Sequence, residues 1–75
     1  MIYLERHDDA ENIHRFYLVD KICDLFGVWV LKRRFGRVGA GPGRGIQQSF
    51  TTEVEAAAAA ASIAQQKRKR GYKPA

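Results

Sequence analysis

Between Val28 and Phe50 the chain has no aspartate or glutamate, although Lys32, Arg33, Arg34, Arg37 and Arg44 all fall there. A segment without carboxylates supplies neither a general acid–base pair nor a hard-metal site. Its uncompensated positive potential points to a polyanionic partner. A single cysteine, Cys23, excludes an internal disulfide. Its alternating neighbours suggest a half-buried, reduced thiol in an intracellular, cytoplasmic protein. No apolar run approaches the roughly 20 residues of a membrane span, so no membrane partner is expected. Met1 to Arg6 lack a basic region followed by an apolar stretch, so no signal peptide is expected either. A length of 75 residues is too short to build two cores. One domain over residues 1–75 follows.

The charge that is present is unevenly placed. The net charge is +5. The acids Glu5, Asp8, Asp9, Glu11, Asp20 and Asp24 precede Val28, and a second basic run, Lys67-Arg68-Lys69-Arg70, lies near the end. Two-residue alternation predicts strands over 1–7, 14–23, 28–38 and 46–50. On the second, Phe16, Leu18 and Asp20 face one way and Tyr17, Val19 and Lys21 the other. On the third, Trp29, Leu31, Arg33, Phe35 and Arg37 share a face, with Val28, Val30, Lys32, Arg34 and Val38 behind it. Asp24-Leu25-Phe26-Gly27 has turn chemistry, since Asp bonds its own backbone and Gly takes positive φ. Thr52-Glu53-Val54-Glu55 has capping-box spacing, so a helix over 53–70 follows, ended by Gly71. Ile63 selects its buried face, through Ala56, Ala59, Ala60 and the stem of Lys67. The fold class is therefore α+β, an antiparallel sheet of about four strands with one C-terminal helix on one face. Tyr72 folds back on the sheet edge as a lid.

Catalysis finds no support, because no Ser-His-Asp or Cys-His arrangement is present. The protein is not expected to be an enzyme. The alternating Gly39, Gly41, Gly43 and Gly45 fit neither phosphate-loop spacing, and they join two strands rather than a strand and a helix. They read as a loop that carries Arg44. His7, Asp8, Asp9 and His14 are ligand types in a short window, but nothing in the spacing makes them converge, and a solvated turn explains them better. No metal or cofactor is expected. Lys67 to Arg70 complement the negative end of the helix dipole, with phosphate contact or a nuclear import signal as competing readings.

The richest stretch is Lys32-Arg33-Arg34-Phe35-Gly36-Arg37. Arginine offers a planar fork of donors to phosphate, an aromatic ring offers a stacking face, and glycine removes a side chain that would hold a backbone away. The nucleic-acid contacts are assigned to Phe35, Gly36, Arg37, Arg33, Lys32, Arg34 and Arg44, with DNA ahead of RNA as partner. The competing readings are a protein-interaction module that docks a separate enzyme in trans and a nucleotide sensor using the glycine loop. Phe35 as a plain core cap is the structural alternative.

Arg15-Phe16-Tyr17, Asp24-Leu25-Phe26-Gly27-Val28-Trp29-Val30-Leu31, Arg33-Arg34-Phe35-Gly36-Arg37-Val38-Gly39, Phe50, Glu55-Ala56 and Lys67-Arg68-Lys69-Arg70-Gly71-Tyr72 together resemble the WGR domain. That family occurs in DNA-damage-dependent poly(ADP-ribose) polymerases and in small bacterial proteins. The resemblance implies an antiparallel sheet with one packed helix, no catalytic activity, and contact with the end of a DNA strand through a signature Trp and Arg. By position the signature Trp falls on Phe35 and the Arg on Arg37. Phe keeps a stacking face but has less area and no indole N–H donor.

Overall fold

The Asp24 turn sets the register of the longest hairpin. In the computed structural model, which describes residues 1–75, Asp24 Oδ1 accepts hydrogen bonds from the amides of Phe26 at 2.8 Å and Val28 at 2.9 Å. Counting outward from it, β2 (Ile13–Cys23) pairs antiparallel with β3 (Trp29–Arg37), from Cys23 opposite Trp29 to Arg15 opposite Arg37. β1 (Ile2–Asp8) lies on the far side of β2, and β4 (Arg44–Phe50) on the far side of β3. A helix, α1 (Glu53–Lys69), follows, and the chain ends in β5 (Lys73–Pro74) beside β1. The sheet order is β4-β3-β2-β1-β5. Five strands rather than about four therefore form the sheet. The fifth is only two residues long and includes Pro74, so it carries no readable alternation.

Directly paired residues point to the same face of an antiparallel sheet. On the helix side, Leu4, Tyr17, Val19, Leu31 and Tyr72 form the core. Leu31 is fully buried and Leu4 nearly so. On the helix the fully buried positions are Ala56 and Ala64. Ile63 is only half-buried, packed on the rim of the core beside Ala59 and Ala60. The smallest side chains form the closest seam because they let the helix backbone approach the sheet, while Ile63 is displaced to its flank.

The Thr52 hydroxyl accepts from the Glu55 amide at 3.2 Å, and the Glu55 carboxylate accepts from the Thr51 and Thr52 hydroxyls. At the other end Gly71 has φ +98°. The Gly71 amide bonds to the Arg68 carbonyl and the Tyr72 amide to the Lys67 carbonyl. This is a Schellman closure, and it turns Tyr72 back onto the sheet. Cys23 is exposed rather than half-buried. It lies two residues past Lys21, whose ammonium reaches Glu53 in the first helical turn at 3.1 Å, so the helix ends before covering it.

Candidate nucleic-acid interface

The register brings three arginines from three strands into one row. Arg6 pairs with Arg15, and Arg15 with Arg37, so all three share the helix-side face. The next row toward the helix is Leu4, Tyr17, Phe35 and Arg44, and the one after it holds Val19, Arg33 and Ile46. The helix ends above these rows. Its C-terminal turn contributes Lys67 and, through the Schellman closure, Tyr72. Together Arg15, Tyr17, Phe35, Arg37, Lys67 and Tyr72 line an open hollow of about 690 Å³, within the range of sites that take small ligands or single nucleotides.

Phe35 and Tyr17 stack, with ring centroids 5.4 Å apart and planes within 7°. Phe35 is half-buried, with one face on Tyr17. The Lys67 ammonium sits 4.5 Å over the Tyr17 ring and 5.8 Å from Tyr72. Burial pushes Lys67 below the usual lysine range, and the charges of Arg70 and Arg33 push the same way. The two ring faces favour the charged form. An anion in the hollow would relieve the repulsion.

Glu11 lines the edge of the hollow, but no carboxylate pairs with an arginine there. The ion pairs within 4.0 Å are His7–Glu5, His14–Asp9 and Lys21–Glu53, and none involves an arginine. Like charges directly opposite across a strand pair destabilise a sheet, so the row Arg6-Arg15-Arg37 carries a cost that a bound phosphate would offset. The Arg33 Nε is buried without a hydrogen-bond partner. The negative end of the helix dipole, equivalent to about half a charge, is outweighed by Lys67, Arg68, Lys69 and Arg70.

Of the residues assigned from sequence, Phe35, Arg37, Arg33 and Arg44 come together on this face. Lys32 and Arg34 lie on the opposite one. There Lys32 faces Asp20 across the strand pair, and Arg34 donates to the Pro42 carbonyl at 3.3 Å. Gly36 also has a different reason to be glycine. A Cβ at Gly36 would stand 3.0 Å from the Gly43 Cα and 3.4 Å from the Phe16 ring, behind the sheet. Gly43 has φ +73°, and a Cβ there would collide with the Phe35 carbonyl. The pair lets the β3–β4 loop close against Phe16, which aims Arg44 back toward Phe35. Arg6, Arg15, Tyr17 and Lys67 were not among the assigned residues. For Arg15 a signal existed, since counting out from the Asp24 turn places it opposite Arg37.

The sequence profile of the WGR domain matches residues 1–75. The chain belongs to the WGR domain family. WGR domains in poly(ADP-ribose) polymerases are nucleic-acid-binding modules, and a WGR domain on its own is non-catalytic. The chain is 37% identical over 73 residues to the uncharacterized protein y4dW of Sinorhizobium fredii. The match covers 97% of this chain and 35% of that protein, so this WGR domain spans about a third of its relative's length. No solved structure matches it. Phe35, Gly36 and Arg37 line the hollow. No helix is long and apolar enough to cross a membrane.

The opposite face carries a separate polar chain. Tyr3 donates to Glu5 at 2.6 Å, and Glu5 also contacts His7 at 2.9 Å. The Tyr3 hydroxyl, ahead of the His7 imidazole, holds the Glu5 carboxyl below the usual carboxylate range against a smaller upward push from burial. A carboxylate lowered in the folded state adds stability that is complete above its unfolded value and lost as pH falls through the folded one. Glu5→Gln is therefore expected to lower Tm near neutral pH, with the gap to the parent closing on acidification. Melting both proteins from about pH 6 to about pH 2 checks this; a gap independent of pH would mean that Glu5 acts through packing.

Proposed function

We propose that residues 1–75 act as one WGR unit that binds DNA without chemistry, at an end, nick or other exposed sugar edge. The observation that carries this reading is the unpaired row Arg6-Arg15-Arg37 beside the Tyr17–Phe35 stack. The row offers guanidinium forks to consecutive phosphates, and the stack offers a ring edge and the outer Phe35 face to an exposed sugar or base. Lys67 borders the same hollow, and Arg33 and Arg44 share its sheet face. Lys32 and Arg34, behind the sheet, contribute long-range attraction only. A duplex interior keeps its bases stacked, so a single aromatic at the mouth of a hollow suits a terminus or a break better than continuous helix.

The test is a titration with blunt, recessed, nicked and covalently closed circular duplexes over a range of salt. End recognition requires linear or nicked DNA to bind more tightly than circular DNA at equal charge. If four of the six cations meet phosphates, log affinity falls against log salt with a slope of about −3.6. A flat salt profile would remove the nucleic-acid reading.

Phe35→Ala should weaken end binding by about 1–3 kcal/mol while leaving the salt slope nearly unchanged, because a π-face is lost and no counterion is involved. It should also lower Tm, since Phe35 supports Tyr17. Phe35→Trp, with larger area and an N–H donor, should hold or improve end binding. Affinity of Phe35→Ala equal to the parent, with only Tm reduced, would make Phe35 a core cap.

A second reading has its own observation. Leu25 and Phe26 at the β2–β3 turn are 100% and 90% exposed, at the end of the hairpin away from the arginine row. An apolar tip suits docking of a separate enzyme in trans, with both ends of the domain in use at once.

A further inference from the structure

We propose that His7 and His14 form a two-point chelating site for a divalent late transition metal, with Ni²⁺ and Cu²⁺ favoured over Zn²⁺. The two residues are direct partners across β1 and β2, on the face away from the helix. Their Nδ1 atoms approach to 2.8 Å, with ring planes tilted by 50°. The outer nitrogen fixes one tautomer. His7 Nε2 lies 2.9 Å from Glu5 Oε1, and a carboxylate only accepts, so Nε2 carries the hydrogen and His7 Nδ1 presents a lone pair. His14 Nε2 is 3.6 Å from Asp9 Oδ1, beyond hydrogen-bond length, so its Nδ1 is free to donate a hydrogen to His7 Nδ1. Without metal that hydrogen bridges the rings. When the His14 hydrogen moves to Nε2, both Nδ1 lone pairs are open to one metal ion.

The supports are those that tune metal-bound imidazoles. Glu5 fixes the His7 tautomer and ring orientation, and the Tyr3 hydroxyl in turn fixes Glu5. Ligand distance decides among metals. Nitrogens bound at about 2.0–2.1 Å and separated by 2.8 Å subtend an angle close to 90° at the metal. That is the cis angle of square-planar and octahedral centres, which suits Cu²⁺ and Ni²⁺. Tetrahedral Zn²⁺ would require the rings to move apart. No third His, Cys, Asp or Glu closes the site. The histidine side chains are 48% and 32% exposed, so water completes the coordination. Binding releases any proton held between the rings to solvent, so affinity falls on acidification.

The test is titration of the full chain with CuCl₂ or NiCl₂ in a Cys23→Ser background, because the exposed thiol binds the same metals. The expected result is one equivalent bound, with an electron paramagnetic resonance spectrum of the Cu²⁺ form showing two imidazole nitrogens. His7→Gln and His14→Gln should each weaken binding by roughly a hundredfold or more, as the second contact loses its effective concentration. Glu5→Gln should weaken it by about 10–100-fold. Melting curves establish that each variant is folded. Equal binding by the His7→Gln/His14→Gln double variant, or a spectrum without two imidazoles, would overturn the site. Absence of binding by the parent would leave a shared proton as the only occupant and overturn it equally.

Discussion

The Arg15→Ala/Arg37→Ala double variant should lose DNA binding and keep or gain thermal stability. The two guanidinium groups stand directly opposite each other on neighbouring strands and have no carboxylate partner. Each charge-assisted hydrogen bond to phosphate contributes on the order of 1.5 kcal/mol or more. The pair should therefore cost about 2–4 kcal/mol of affinity, roughly thirtyfold to several-hundredfold. The salt slope should shrink by about 1.8, from two fewer released counterions. Stability should move the other way by a few tenths of a kcal/mol, since a facing like-charge pair is removed. Opposite signs in the two measurements separate this from general damage. A double variant that binds normally, or that loses binding and Tm together, would refute the row as the phosphate contact.

Leu31→Ala should bring the protein close to unfolding at physiological temperature. Leu31 is fully buried as the third residue of β3. Truncation of such a side chain costs about 2–5 kcal/mol through lost transfer energy and the cavity left behind. A chain of this length has a total on the order of 4–11 kcal/mol. With only eight residues buried, this domain belongs in the lower part of that range. Tm should fall by more than about 10 °C. Val54→Ala, at a position 78% exposed, is the control and should melt like the parent. A Leu31→Ala protein melting within a few degrees of the parent would mean that the seam between helix and sheet is not the stabilising contact.

The architecture and one wall of the interface were legible in the sequence because they rest on local chemistry. The Asp24–Gly27 turn, the alternation along β2 and β3, the Thr52–Glu55 cap and Gly71 each declare themselves within a few residues. The faces of Phe35, Arg37 and Arg33 follow from the two-residue period alone. What was hidden depends on register or close approach. The alignment of Arg6 with Arg15 is set by the β1–β2 connection, where Asn12 takes φ 54° without a glycine to mark it. The same register brings His7 to His14, which the spacing of the two residues does not disclose. Gly36 resembles a contact residue in the sequence, yet its neighbours are Gly43 and Phe16. On the helix the stripe through Ala56, Ala59, Ala60 and Ile63 was readable from its spacing, whereas the burial of Ala64 was not.

The order of the sheet also has a kinetic meaning. β1 to β4 form a meander in which each strand pairs with its neighbour in sequence, so their loops are short and their pairing is quick to nucleate. The β1–β5 ladder joins Leu4 to Pro74, a closure spanning nearly the whole chain. Its entropy cost is bearable only after the helix has docked and Gly71 has turned the chain back. It should therefore form after the rate-limiting step and act as a latch on a domain already assembled. Deleting Lys73 to Ala75 would then speed unfolding and leave the refolding rate unchanged.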